Sequence, residues 1–309
     1  MIFFGRYAGL AGLIETIHAY GEKLKLQGIH TPFEKIKQAY QYSSVEEAKM
    51  HFKSVAHDLQ KNGIPKNLGP VVFGFAGYGN VSCGAQELFD LLPHKDLSST
   101  ELTENFSSLT SWDGTLFKFI FKEEHMVIPK NGKFDLRDYY DNPENYTGNF
   151  SSWLPYINVL VNCIYWTEKY PRLLTKDYLN QHPDGNLSVI GDISCDIEGS
   201  IEITHKSTYP DSPTYTYFPA EKEFKDGTLR NGITIMAVDN LPCEFSKESS
   251  IEFSRVLREF IPLLIQENFN VSLEELKLPT SMKRGLILHQ GKLTEDYIYM
   301  KKYLKKENS

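Results

Sequence analysis

An α/β fold organised around a parallel sheet is what this sequence predicts, on three observations. Short apolar runs at 71–76, 116–121, 157–164, 187–193 and 233–238 alternate with stretches of helical period, the pattern of strand–helix–strand crossovers. The first run passes directly into Gly77, Gly79 and Gly84 and then into the helical pattern Ala85-Gln86-Glu87-Leu88-Phe89. The run at 157–164 is apolar almost throughout, as a strand buried on both faces must be. Together they describe a doubly wound, Rossmann-type sheet.

The elements follow in order. From Ala8 onward, Leu10, Leu13, Ile14, Ile17 and Leu24 keep helical spacing, with Ala8, Gly9, Ala11 and Gly12 between them. Small residues let a neighbouring backbone come close, so this reads as a buried linking helix. A second helix starts at the capping pair Ser44 and Glu47 and carries Val45, Ala48, Phe52, Val55 and Leu59. Gly63 and Pro65 stop it. After the strand at 71–76 and the glycine turn, residues 96–114 are polar and rich in Ser and Thr, and read as an inserted loop. The strand 116–121 follows. Residues 129–152, rich in Tyr, Asn, Asp and Gly, read as irregular surface structure. Strands at 157–164, 187–193 and 233–238 complete the sheet. A helix over 247–266 should bend at Pro262. A Lys-rich helix holding Tyr297, Met300 and Leu304 ends the chain.

Composition excludes several classes. In 309 residues, hydrophobic residues make up 41% and charged residues 24%, so wholesale disorder is excluded. No apolar run approaches the roughly 18 residues of a membrane span. A net charge of −7 argues against a general nucleic-acid binder. Cys83, Cys163, Cys195 and Cys243 lie far apart without zinc-type spacing, and are expected as buried reduced thiols. His51 and His57 share a helix, but their separation suits no joint metal ligation. No GxSxG, HExxH or P-loop motif occurs, which lowers hydrolase and kinase readings.

Three places remain where chemistry could sit. A glycine-rich strand-to-helix turn lets backbone approach a diphosphate at a helix N-terminus. Gly79 and Gly84 depart from the GxGxxG spacing, however, and an ordinary tight turn would look the same. The next strand ends Phe121-Lys122-Glu123-Glu124. There Lys122 would favour a ribose 2′-phosphate and hence NADP, the glutamates would favour NAD, and a solvated charge run needs neither. Asp192-Ile193-Ser194-Cys195-Asp196 and Asp239-Asn240 each follow an apolar strand. In open α/β sheets ligands bind at those carboxyl ends, and acids there suit ammonium groups or hydroxyls. Caps and turns use the same residues.

Six segments in one order carry a resemblance that spans nearly the whole chain. They are Phe4-Gly-Arg-Tyr-Ala-Gly-Leu-Ala-Gly12, Gly77-Tyr-Gly-Asn-Val-Ser-Cys-Gly84-Ala-Gln-Glu, Val161-Asn-Cys-Ile-Tyr165-Trp, Pro171-Arg-Leu-Leu-Thr175, Asp192-Ile-Ser-Cys-Asp196 with Gly199-Ser-Ile-Glu202, and Ala237-Val-Asp-Asn-Leu-Pro242. The sequence resembles the lysine-ketoglutarate reductase half of the bifunctional α-aminoadipic semialdehyde synthases, a saccharopine dehydrogenase (NADP, lysine-forming) related to alanine dehydrogenase and the transhydrogenase nucleotide domain. The resemblance implies reductive condensation of lysine with 2-oxoglutarate to saccharopine, with NADP as cofactor and NAD as the alternative. It places Gly77 and Tyr78 at the diphosphate. Tyr165, Ile193, Val238, Asp239, Asn240 and Leu241 fall along the adenosine and nicotinamide ends, and Phe4, Ser194, Cys195 and Asp196 beside the amino-acid substrate. Lys122 is a candidate for the 2′-phosphate from position alone.

In that family a further N-terminal region precedes the Phe-Gly segment and supplies a lysine–histidine acid/base pair and carboxylate-binding arginines. Met1 stands three residues before Phe4. The expectation is therefore a chain lacking that region and the saccharopine-cleaving half, with unknown catalytic residues and an incomplete second lobe. It should bind dinucleotide better than it turns over substrate, and should expose Leu10, Leu13 and Ile17. A non-catalytic dinucleotide-binding module is the rival reading. Residues 1–66 are expected as linking helices and the remnant of the catalytic lobe, 67–245 as the dinucleotide-binding domain, and 246–309 as helices returning to that lobe. A cytoplasmic location is expected, or a mitochondrial one if an upstream leader has been lost.

Overall fold

The computed structural model describes residues 4–304. They form two compact units, one over Phe4–Ser249 and one from residue 250 onward. In chain order the first unit holds α1 (Gly5–Leu26), α2 (Val45–Asn62), β1 (Val72–Ala76), α3 (Asn80–Phe89), β2 (His94–Asp96), α4 (Ser99–Thr103), β3 (Leu116–Phe121), α5 (Glu123–Met126), β4 (Val127–Pro129), α6 (Leu136–Asp141), β5 (Tyr146–Gly148), β6 (Val159–Asn162), α7 (Lys176–Gln181), β7 (Val189–Asp192), β8 (Thr214–Phe218), β9 (Glu223–Asp226) and β10 (Ile233–Met236). The division between the units falls within α8 (Ser246–Leu257).

The sheet runs β2-β3-β1-β6-β7-β10-β8-β9, parallel from β2 to β10 and antiparallel for the last two strands. Strand alternation divides the core between its two faces. Phe73, Phe75, Val159, Val161, Val189 and Met236 pack with α1, α2 and α3. Val72, Phe117, Phe119, Phe121, Leu160, Ile190, Tyr215 and Ile235 pack with the segments between β3 and β7.

The small residues of α1 act as expected. A Cβ on Gly9 would stand 1.9 Å from the Val81 carbonyl oxygen, and one on Gly84 would stand 2.1 Å from that of Arg6. Farther along α1, a Cβ on Gly12 would meet Ile193 and Leu241, while Thr16 covers Gly191. Lys23 Nζ reaches the carbonyls of Ser188 and Gly232. The helix thus crosses the sheet from the carboxyl ends of its strands to their amino ends. This corrects one expectation: Leu10, Leu13 and Ile17 are fully buried, because the sheet itself covers them.

Several other details differ from the sequence reading. Residues 129–152 are ordered structure, with β4 pairing β5 and Tyr139, Tyr146 and Phe150 buried. The segment 96–114 carries α4, anchored by buried Leu102. The edge strands β2 and β9, and β8 inside β9, have no counterpart in the reading. The Ser44 hydroxyl accepts from Glu47 N (3.1 Å), but the Glu47 carboxylate reaches back to Ser43 rather than to Ser44. Of the thiols, all free, Cys83 and Cys243 are exposed rather than buried; Cys83 lies in the first turn of α3 and Cys243 in the 3-10 helix Leu241–Phe245.

In the second unit the expected helix breaks after Leu257 and resumes as α9 (Ile261–Gln266), with Pro262 in its first turn. After α10 (Thr280–Lys283), a hairpin of β11 (Leu288–His289) and β12 (Lys292–Leu293) follows. The closing segment Glu295–Tyr303 is a 3-10 helix rather than an α-helix. No helix among the described residues is long and apolar enough to cross a membrane.

Candidate functional site at the carboxyl edge of the sheet

The parallel register sets the strand ends level. Ala76 pairs with Phe121 on one side and Asn162 on the other, and Asn162 pairs with Asp192. The next residues continue the ladder: Gly77 N donates to Phe121 O (2.9 Å), Cys163 N to Ala76 O (3.0 Å), and Ile193 N to Asn162 O (3.1 Å). From β1 the chain fills one side of the sheet, with β2 at the edge and β3 between it and β1, then crosses to β1's other side with β6. The seam between β1 and β6 is therefore the switch point, where open α/β sheets form their ligand crevice.

Gly77 lines that seam at φ +93°, a backbone state that side chains other than glycine's seldom adopt, and a Cβ there would press within 3.1 Å of Ile164 Cγ2. Gly79 precedes α3 with open space where its Cβ would be, and no side chain caps the helix. The first-turn N–H groups of α3 are thus left to a ligand, with the positive end of the helix dipole behind them. That cradle fits the diphosphate of a dinucleotide. Gly84, by contrast, serves the α1–α3 contact.

Around the turn, Tyr78 is exposed. Burial and then the Glu123 charge raise its hydroxyl pKa, so it stands beside the end of β3. Lys122 is exposed there, its N–H donating to His125 Nδ1 (3.0 Å), while Glu123 Oε1 accepts from the Tyr140 hydroxyl (2.5 Å). Tyr165, 87% exposed, follows β6. Phe4 begins α1, whose next turn packs on the start of α3, and is part-exposed.

Beyond β7, Ser194 and Cys195 are half-buried and Asp196 is exposed; beyond β10, Asp239 and Asn240 are exposed. Burial first, then Asp192, Asp239 and Asp196, push the Cys195 thiol up to about 12, so both exposed acids lie within electrostatic reach of it. Burial and the Asp192 charge also raise Asp196. The side chains of Ile193, Val238 and Leu241 turn inward and are buried, two of them against Gly12, so they offer this edge only backbone. Asp192 turns inward as well: it is fully buried and its carboxylate is taken up by Asn162, Ser194 and Thr204.

Sequence reasoning assigned no role to Asn162, Ser200 or Thr204, which surround Asp192; the available signal was a polar residue closing an apolar strand. A cavity of about 1060 Å³ opens at the opposite, amino edge, lined by Tyr20, Lys23, Ser188 and Gly232 among others. Residues before β7 and β10 line it, and its lysine is already held by carbonyls.

Comparisons with known proteins agree with this architecture. The chain is 38% identical over 315 residues to an α-aminoadipic semialdehyde synthase of Arabidopsis thaliana, covering 97% of this chain and 29% of that protein. It is 31% identical over 323 residues to the mitochondrial enzyme of that name from Bos taurus, covering 98% and 34%. Over 111 residues (35% of this chain, 27% of the relative) it is 33% identical to a saccharopine dehydrogenase [NAD(+), L-lysine-forming] of Schizosaccharomyces pombe. The chain therefore spans about a third of the length of the curated relatives that match it end to end. Residues 144–296 match the model of the alanine dehydrogenase/PNT C-terminal domain.

Proposed function

We propose that the chain is a saccharopine dehydrogenase (L-lysine-forming)-type oxidoreductase, joining lysine to 2-oxoglutarate reductively with NADPH. The observation that carries this reading is the meeting of two kinds of group on one sheet edge. The uncapped glycine turn at Gly77–Gly79 suits a dinucleotide diphosphate, and the exposed carboxylates of Asp196 and Asp239 suit ammonium groups. The end-to-end similarity to α-aminoadipic semialdehyde synthases supports the same chemistry.

In this reading residues 67–245 form the dinucleotide domain. Backbone at Gly77, Tyr78 and the first turn of α3 holds the diphosphate, and Lys122 meets the ribose 2′-phosphate that distinguishes NADP from NAD. Tyr165 and the backbone of Ile193 and Val238–Leu241 (Asp239 and Asn240 with their side chains) border the adenosine and nicotinamide ends. Phe4 and Ser194–Asp196 border the amino acid. The bound dinucleotide would supply hydride to the imine that forms, with loss of water, between lysine's ε-amine and the keto carbon. Asp196 and Asp239 orient the amine; burial and the Asp192 charge raise the pKa of Asp196.

One observation favours a second reading, a dinucleotide-binding module without turnover. Burial lowers Lys23 to about 7, the range of a lysine acid/base, yet it sits at the amino edge, engaged with Ser188 and Gly232. The deciding experiment titrates the chain with NADPH and NADH, then follows lysine- and 2-oxoglutarate-dependent NADPH oxidation, with and without the family's N-terminal region supplied in trans. Turnover supports the oxidoreductase; binding without turnover in either condition selects the module; no dinucleotide binding removes both.

A further inference from the structure

Beneath the exposed end of the Ser194–Gly199 loop lies a buried polar knot. Asp192 Oδ1 accepts from Asn162 Nδ2 (2.9 Å) and from the Ser194 hydroxyl (2.7 Å), and Oδ2 accepts from the Thr204 hydroxyl. Asn162 Nδ2 also donates to Ser200 Oγ (2.9 Å). Asp192, Asn162, Ser200 and Thr204 are all fully buried. A carboxyl this deep is costly unless its oxygens are satisfied. Here every donor comes from the neighbouring strand end or from the 194–204 segment that follows β7.

The loop is wound tightly around that carboxyl. Cys195 N donates to Asp192 O (3.2 Å), Gly199 N to Asp196 O (2.9 Å) and Glu198 N to Thr204 O (2.7 Å). Cys195 and Glu198 stand at φ 53° and 49°, a left-handed state that non-glycine residues hold only where their surroundings over-determine it. A Cβ on Gly199 would lie 2.6 Å from that of Asp196, so the turn has no slack. Cys195 Sγ contacts Ala237 O (3.0 Å), which ties the loop to the strand leading to Asp239.

We propose that Asp192 is a positioning residue for the amino-acid half of the site, its carboxyl fixing the 194–199 loop so that Asp196 presents its carboxylate at the crevice to a substrate ammonium group. The proposal rests on the reading of Asp196 given above. Asp192 never meets the ligand and acts through the loop alone. Its influence therefore ends where Asp196 has no carboxylate to present.

The test uses the full chain loaded with NADPH, titrated with L-lysine, with amide exchange followed across the loop by mass spectrometry. In Asp192→Asn, and in the milder Thr204→Val, exchange over 194–198 speeds up while β7 stays protected. Lysine binding weakens roughly tenfold, the scale of one displaced hydrogen bond to a charged group. NADPH affinity stays within about twofold, as for independent sites. In an Asp196→Asn background neither substitution weakens lysine binding further, which a merely structural role would not produce. Unchanged exchange overturns the proposal, and so do losses that multiply in the double variants. Should Asp192→Asn not fold, Thr204→Val carries the same cycle. A wild-type chain that binds NADPH but not lysine overturns the Asp196 assignment and the proposal with it. Failure to bind NADPH instead strikes the dinucleotide reading, and loop exchange in the variants then decides whether Asp192 fixes the loop.

Discussion

Gly77 combines two demands that no other residue type meets. It holds φ +93°, and the position its Cβ would take is 3.1 Å from Ile164. A side chain there costs about 1–3 kcal/mol in backbone strain and blocks the approach of a diphosphate. Gly77→Val should therefore abolish NADPH binding in a fluorescence titration while the far-UV circular dichroism stays native-like. Retained affinity would make the turn purely structural. Lys122 makes a different claim, about which dinucleotide binds. It is exposed at the end of β3, between a strand that fixes its backbone and the acidic pair Glu123 and Glu124. Lys122→Glu should lower the preference for NADPH over NADH by roughly tenfold or more, the worth of one charge-assisted contact. An unchanged ratio of the two dissociation constants would move the phosphate contact to another residue.

Elements differ in how far sequence reveals them, and the reason is burial. β1, β3, β6, β7 and β10 are covered on both faces, so each shows as an apolar run. β2 is His-Lys-Asp and β9 is Glu-Phe-Lys-Asp; as sheet edges they need few apolar residues, and nothing separates them from loop. β8, Thr-Tyr-Thr-Tyr-Phe, buries its threonines as well as its tyrosines, and that depends on β9 and β10 lying on either side. The glycine turn is legible because its need is local. The fate of Asp192 is not, since period-two alternation puts it on the Ile190 face, where only the folded 194–204 segment supplies its donors. The α1–α3 contact is the element-scale case where composition was enough. Backbone lies 1.9 Å from a Cβ on Gly9, so Gly9→Val must part the two helices. A loss of about 1–3 kcal/mol or more is expected, measured as a lower urea midpoint. An unshifted midpoint would show that the helices separate without cost.

At the scale of the whole unit, α1 joins the two edges of the sheet and carries an ionisable group toward each. At one end Lys23 lies under the strand amino ends. Nearer the other, Glu15 is fully buried and faces Glu244 from the Leu241–Phe245 turn. Glu15 Oε1 accepts from Ala39 N (2.6 Å) and Glu244 Oε2 from Tyr40 N (3.2 Å). The remaining oxygens, Glu15 Oε2 and Glu244 Oε1, have no other partner among the described residues, and one proton shared between them satisfies both. Burial, reinforced at Glu15 by the Glu244 charge, lifts Glu15 to about 9; burial lifts Glu244 to about 7. His18 on α1 pulls Glu15 slightly the other way. The folded chain thus holds protons that the unfolded chain has released, so the pair's stabilisation is complete below the ordinary carboxylate value of 4.5 and is lost as pH rises through 7 toward 9. Lys23 has the opposite sign. Its value is lowered from 10.5 to about 7, so its contribution improves as pH rises across that window. Bulk pH profiles mix the two, and a variant separates them. Glu15→Gln/Glu244→Gln keeps Lys23 and the fold's shape but removes the titrating pair. Urea melts from about pH 5 to pH 9 should show wild type losing stability relative to this variant as pH rises. Parallel profiles for the two proteins would mean that both carboxyls titrate alike in the folded and unfolded chain, and that no proton is shared between α1 and the Leu241–Phe245 turn.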